Sequence, residues 1–107
     1  SDKAISVGEN SNISILKINA QNAFAGIVSK DGSKVVSTNI TFNEVVIPFA
    51  AYQKKSQYDH GLLVVNDFKV ENFLVKFVKD DKSQVTLNNT IQLNVKNNKK
   101  MLSLVNQ

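Results

Sequence analysis

Apolar residues in this chain fall on alternate positions in short runs, and clusters of turn-forming residues interrupt every run. The clearest series is Val85, Leu87, Ile91, Leu93 and Val95, broken only at Asn89, with Thr86, Thr90, Gln92 and Asn94 between. Successive side chains of a strand point to opposite faces, so this spacing predicts a sheet with one face buried and one wet. Asn88-Asn89 marks a bend or bulge that splits the stretch into two strands. Residues 4–7, 13–18 and 40–49 read as further strands, and residues 101–105 as a last one after the polar turn Asn97-Asn98-Lys99-Lys100. Asp31-Gly32, between the strand-like residues 24–29 and 34–38, supplies the positive φ angles of a tight hairpin turn. Asp80-Asp81-Lys82-Ser83 reads as a second hairpin tip, held in water by its charges. Pro48 cannot donate to a ladder and is expected at an edge or strand end.

A chain of 107 residues can bury one core, so one β domain is expected over residues 1–107, with no linker and no evident internal repeat. About seven to nine short strands at this spacing predict an all-β fold, a small antiparallel β-sandwich of immunoglobulin-like or jelly-roll-like type. The pattern resembles the immunoglobulin-like sandwiches of surface, appendage and virion proteins in strand number and alternation, without their Cys and Trp hallmarks. Two alternatives stand beside it. One is a five-stranded OB-like barrel. The other is an α+β fold with a helix at 67–78, because Val70, Phe73, Leu74, Phe77 and Val78 also follow helical spacing and Asp67 could cap it. The β-branched and aromatic residues of that segment favour a strand. A single helical turn, started by Pro48, is expected within residues 49–55.

Composition narrows the chemistry. The chain has no cysteine, which excludes disulfides and thiolate chemistry, and no apolar run approaches the length of a membrane-spanning helix. It opens on Ser1 rather than Met, which fits signal removal or other trimming. The net charge is +4 and all 13 cationic residues are lysine, so the planar fork that reads guanine edges is lacking and sequence-specific duplex reading is not expected. His60, the only histidine, follows Asp59, but neighbours on a strand face opposite ways and no Gly-x-Ser-x-Gly elbow accompanies them. Asp80 and Asp81 lack calcium-loop spacing, and no glycine loop precedes a Lys-Ser or Lys-Thr. The reading is therefore a non-enzyme with no catalytic residues, no metal ligands and no cofactor. Asn12, Asn39 and Asn88 head Asn-x-Ser/Thr triplets, which arise easily in so asparagine-rich a chain.

What remains is recognition by contact. The segment between Pro48 and Gly61 is expected to be the longest connection, and it carries the candidate binding residues Tyr52, Lys54, Lys55 and Tyr58. The leading expectation is a structural or adhesive subunit of a secreted, surface or virion assembly, acting through a protein partner or self-assembly. The alternative is a small barrel that binds single-stranded nucleic acid, stacking bases on the tyrosines and pairing phosphates with the lysines.

Overall fold

A computed structural model of the chain describes residues 3–93 and 98–105. The chain forms β1 (Lys3–Val7), β2 (Asn12–Ile15), β3 (Ile18–Lys30), β4 (Lys34–Tyr52), β5 (Leu62–Glu71), β6 (Phe77–Lys79), β7 (Gln84–Leu87), β8 (Thr90–Ile91) and one helix, α1 (Asn98–Val105). The all-β class holds. The antiparallel arrangement does not, because every ladder except β7 with β8 is parallel.

The register shows why. Lys3 faces Ala25, Asn12 faces Lys34 and Ile18 faces Ile40, each pair 22 residues apart. From β4 to β5 and β6 the offset is 28, as in Lys34 with Leu62 and Phe49 with Phe77, and from β5 to β7 it returns to 22. Each coil of chain thus lies directly on the one before, which makes the molecule a parallel β-solenoid rather than a sandwich or an OB-like barrel. An internal repeat is present after all. It reads Glu9-Asn10-Ser11-Asn12-Ile13, Asp31-Gly32-Ser33-Lys34-Val35, Asp59-His60-Gly61-Leu62-Leu63 and Asp81-Lys82-Ser83-Gln84-Val85.

Corners turn the long strands. Asn22, Glu44 and Asn72 stack at one corner, and Asn39, Asp67 and Asn89 at another, all with φ between 54° and 66°. Left-handed backbone is what Asn and Asp tolerate best among residues with a side chain. Asp31 (53°) and Gly32 (79°) do the same at a third corner. The Asp-Gly pair therefore turns the chain as its chemistry dictates, but β3 and β4 on either side of it pair in parallel, one coil apart, instead of antiparallel across the turn, so there is no hairpin. Residues 80–83 are likewise a coil corner, since β6 pairs with β4 and β7 with β5.

Other local expectations are corrected. No helix forms at 67–78, which carries the end of β5, a connection with bends at 72, 74 and 76, and the start of β6, and none at 49–55, where β4 runs on to Tyr52 before the chain bends. Pro48 lies buried inside β4, and the ladders pass it by, with register pairs Ala25 to Ile47 and Ile27 to Phe49 on either side. Residues 101–105 are helical, because α1 buries the i, i+4 pair Met101 and Val105. The Asn88-Asn89 bend forms as expected and folds β8 back on β7. Beyond it the alternation buries neither Ile91 nor Leu93, which are 59% and 80% exposed because the chain has left the stack. Asn94, Val95 and Asn97 fall outside the described residues.

Two apolar layers result. Inside the coils, stacks such as Ile5-Ile27-Phe49-Phe77 and Val35-Leu63-Val85 form the main core, and the Phe49 ring meets Phe68 edge-on at 5.4 Å. Outside, Ala25, Ile47, Ala50, Tyr52 and Val78 form a second layer that α1 covers with Met101 and Val105. The alternation of Phe49 and Ala51 inward with Ala50 and Tyr52 outward serves both.

A clamped loop as the candidate functional site

The six extra residues of the 28-residue coil lie in the connection 53–61 between β4 and β5, the longest among the described residues. It begins after Tyr52, not at Pro48. Where the loop returns, Gly61 fits because a Cβ would come within 2.1 Å of the Ser29 carbonyl oxygen. Its amide donates to Ser83 Oγ at 3.0 Å, just as the Ser11 amide donates to Ser33 Oγ at 3.2 Å at the matching corner.

Three carboxylates from three other coils hold the loop. Asp31, 1% exposed, accepts through Oδ1 from the Lys54 and Lys55 amides at 2.7 and 2.8 Å. Asp80 accepts from the Gln53 amide at 2.7 Å and the Ser83 amide at 2.9 Å, and its two oxygens lie 3.0 and 3.1 Å from His60 Nδ1. Burial pushes the Asp80 carboxyl up, but the hydrogen bonds from Ser83, Gln53 and His60 outweigh it and hold it below its ordinary value. Glu9 pairs with the Lys55 ammonium and receives the Tyr58 hydroxyl at 3.5 Å. The hydrogen bond and charge of that pair lower Glu9 and raise Lys55. The Gln53 side-chain amide, bonded to the Tyr58 carbonyl, closes the loop on itself.

The four candidate binding residues therefore separate. Tyr52 sits 2% exposed under α1, where burial and the charge of Asp31 push its hydroxyl up to about 12. Lys55 and half-buried Tyr58 are engaged with Glu9, while Lys54 lies exposed on the loop with Ser56, Gln57 and Asp59. Asp59 bonds the His60 backbone amide at 2.9 Å and leaves the imidazole to Asp80. Sequence reasoning missed Asp31, Asp80 and Glu9 as the loop's anchors. For Glu9 and Asp31 the available signal was the acidic residue that opens each repeat, legible only once the repeat is seen; Asp80 precedes that position and carried no such signal.

No family model, curated protein or solved structure matches this chain.

Asp80 and His60 form a pair; nearby, Ser83 Oγ accepts from the Gly61 amide, and Ser29 Oγ lies within hydrogen-bond distance of the carbonyls of Ser33 and Leu62. Among the described residues no three His, Cys, Asp or Glu side chains are grouped to hold a metal ion. No helix there is long and apolar enough to cross a membrane.

Proposed function

We propose that the protein is a non-catalytic contact module, a structural or adhesive subunit of a secreted, surface or virion assembly, with the clamped loop as its contact surface for a protein partner. The observation that carries this reading is the single six-residue insertion in a coil otherwise 22 residues long, fixed by a buried carboxylate. Insertions in a solenoid collect on one face, and that face is often the one that binds. A loop ordered in advance loses less conformational freedom when it docks. Lys54, Ser56, Gln57 and Asp59 give it a mixed-charge, hydrogen-bonding tip suited to a polar protein surface. Single-stranded nucleic acid fits less well, since Tyr52 is buried and Lys55 is already neutralised by Glu9.

The test is a photo-crosslinking residue at position 57, introduced in the native host. A discrete protein adduct is expected there, and none from a control at Thr86. Removing residues 54–59 together with Asp31→Asn should abolish partner capture while the strand signal in circular dichroism persists. Absence of any adduct at position 57, with salt-dependent oligonucleotide binding instead, would transfer the site to nucleic acid.

A further inference from the structure

Carboxylates are not spread evenly through the fold. Among the described residues Asp31 and Asp80 are the only acidic side chains that are not exposed, and both hold the same loop. Glu44, Asp59, Asp67, Glu71 and Asp81 lie exposed, and neither apolar layer contains an acid. The coils are joined to one another by backbone ladders and apolar stacks, which a change of pH leaves alone. The loop is joined to them differently. Its first three backbone amides all donate to carboxylates, Gln53 to Asp80 and both Lys54 and Lys55 to Asp31. Further along, the Lys55 ammonium and the Tyr58 hydroxyl reach Glu9.

A hydrogen bond to an ionised acceptor is roughly twice as strong as a neutral one, and the added strength goes with the charge. Asp31 Oδ2 has no hydrogen-bond partner among the described residues, so it can take up a proton without first giving up a contact. The ionisable groups whose charge Asp31 feels are Glu9, Lys55 and the Tyr52 hydroxyl, which stays protonated in acid. Around Asp80 stand His60 from the loop, the Lys79 ammonium, which donates to the Asp80 backbone carbonyl at 2.9 Å, and the exposed Asp81 and Lys82 that follow it. A proton on His60 adds charge to its contact with Asp80, so that grip tightens until the carboxylate itself is neutralised.

We propose that loop 53–61 is an acid-released strap: proton uptake by Asp31, Asp80 and Glu9 frees it while the coils beneath stay folded, and loss of those protons fastens it again. Asp80 and Glu9 are both held below their ordinary values by the partners they gain on folding. The strap is therefore fastened above the ordinary carboxylate range and is released as pH falls through and below it. The switch in loop order stands on these anchors alone; its use to control partner capture rests on the contact reading.

Amide hydrogen exchange of the full chain, read residue by residue by NMR at about pH 6 and about pH 3 and corrected for intrinsic rates, tests the strap. Protection of the Gln53, Lys54 and Lys55 amides should fall about tenfold or more at the lower pH, while ladder amides of β4 and β5 keep theirs and the circular dichroism keeps its strand signal. Neutralisation should restore the loop. Asp31→Asn with Asp80→Asn leaves oxygen acceptors in place but nothing to protonate, and should make loop protection nearly the same at both pH values. Asp80→Asn alone, the milder change, should remove the step at Gln53 and keep it at Lys54 and Lys55. Glu44→Gln with Glu71→Gln should leave the whole step intact. Loop amides equally protected at both pH values in the parent chain would overturn the proposal. So would their release only together with the ladder amides, or a full step in the chain that lacks both aspartates. Crosslinking at position 57 enters none of these measurements, so the strap and the contact reading fail separately.

Discussion

The Tyr52 hydroxyl and Asp31 Oδ2 are both buried without a hydrogen-bond partner among the described residues. A buried orphan hydroxyl contributes little and loses its hydration, so Tyr52→Phe should be neutral or stabilising, within about 1 kcal/mol, in urea denaturation at neutral pH. The alkaline limb reports the same group. The folded hydroxyl lies at about 12, above the ordinary tyrosine value near 10. Its contribution is complete below pH 10 and is lost as pH rises from 10 through 12, and Tyr52→Phe should flatten that part of the stability profile. Asp80 works in the opposite sense, with its folded value lowered. Its contribution is full above the ordinary carboxylate range and is lost as pH falls through the folded value, so Asp80→Ala should lower neutral stability by about 1–3 kcal/mol and shrink the acid-sensitive part. A residue-scale reading of the sequence could single out Lys55 and Tyr58 because they sit in one segment. It could not find Asp31 or Asp80 as anchors, because the loop amides they hold lie more than 20 residues away in the chain, and the local bond from the Ser83 amide to Asp80 marks only a turn.

Loop 53–61 and the corner beneath it form one unit. Deleting residues 54–59 restores a 22-residue coil, and closing a shorter connection is entropically mild. The deletion also strips Asp31 of the amides that solvate its buried carboxylate, which costs about 1–3 kcal/mol. The deletion alone should therefore destabilise, and adding Asp31→Asn should restore most of the loss. A double-mutant cycle by thermal melting measures that coupling, and simple additivity would mean Asp31 does not hold the loop. The same elements explain what the sequence did and did not disclose. Strands at 4–7, 40–49 and the Asn88-Asn89 bend follow from local chemistry and were legible. Pairing was not, because period-two alternation is identical in parallel and antiparallel sheets, and Asp-Gly supplies the same φ angles to a hairpin and to a solenoid corner. The six-residue insertion also breaks the 22-residue spacing at mid-chain, which hides the repeat from inspection. Met101 and Val105 show helical spacing, yet a run of five residues is too short to separate the two periods.

At the scale of the whole molecule, stability should be distributed along one axis, since in a solenoid each coil touches only its neighbours and the total is close to a sum of coil and interface contributions. Ile5 and Ile27 belong to the same inward stack and are directly paired in register. They differ in one respect: Ile27 has Phe49 on its far side and no exposed surface, whereas Ile5 is half-buried with no coil beyond it among the described residues. Truncating a fully enclosed isoleucine leaves a cavity its neighbours cannot fill and costs about 2–5 kcal/mol, while a site open on one side loses less apolar burial and can relax. Ile27→Ala should therefore cost about 3 kcal/mol and Ile5→Ala about 1 kcal/mol. Native-state hydrogen exchange should follow the same gradient. Amides of β4, flanked on both sides, should exchange only through global opening, and those of β1 and β2 through fraying of the first coil at a lower free energy. Equal costs for the two alanine variants, with equal protection in β1 and β4, would mean that the first coil is bound into the cooperative core as tightly as the middle ones.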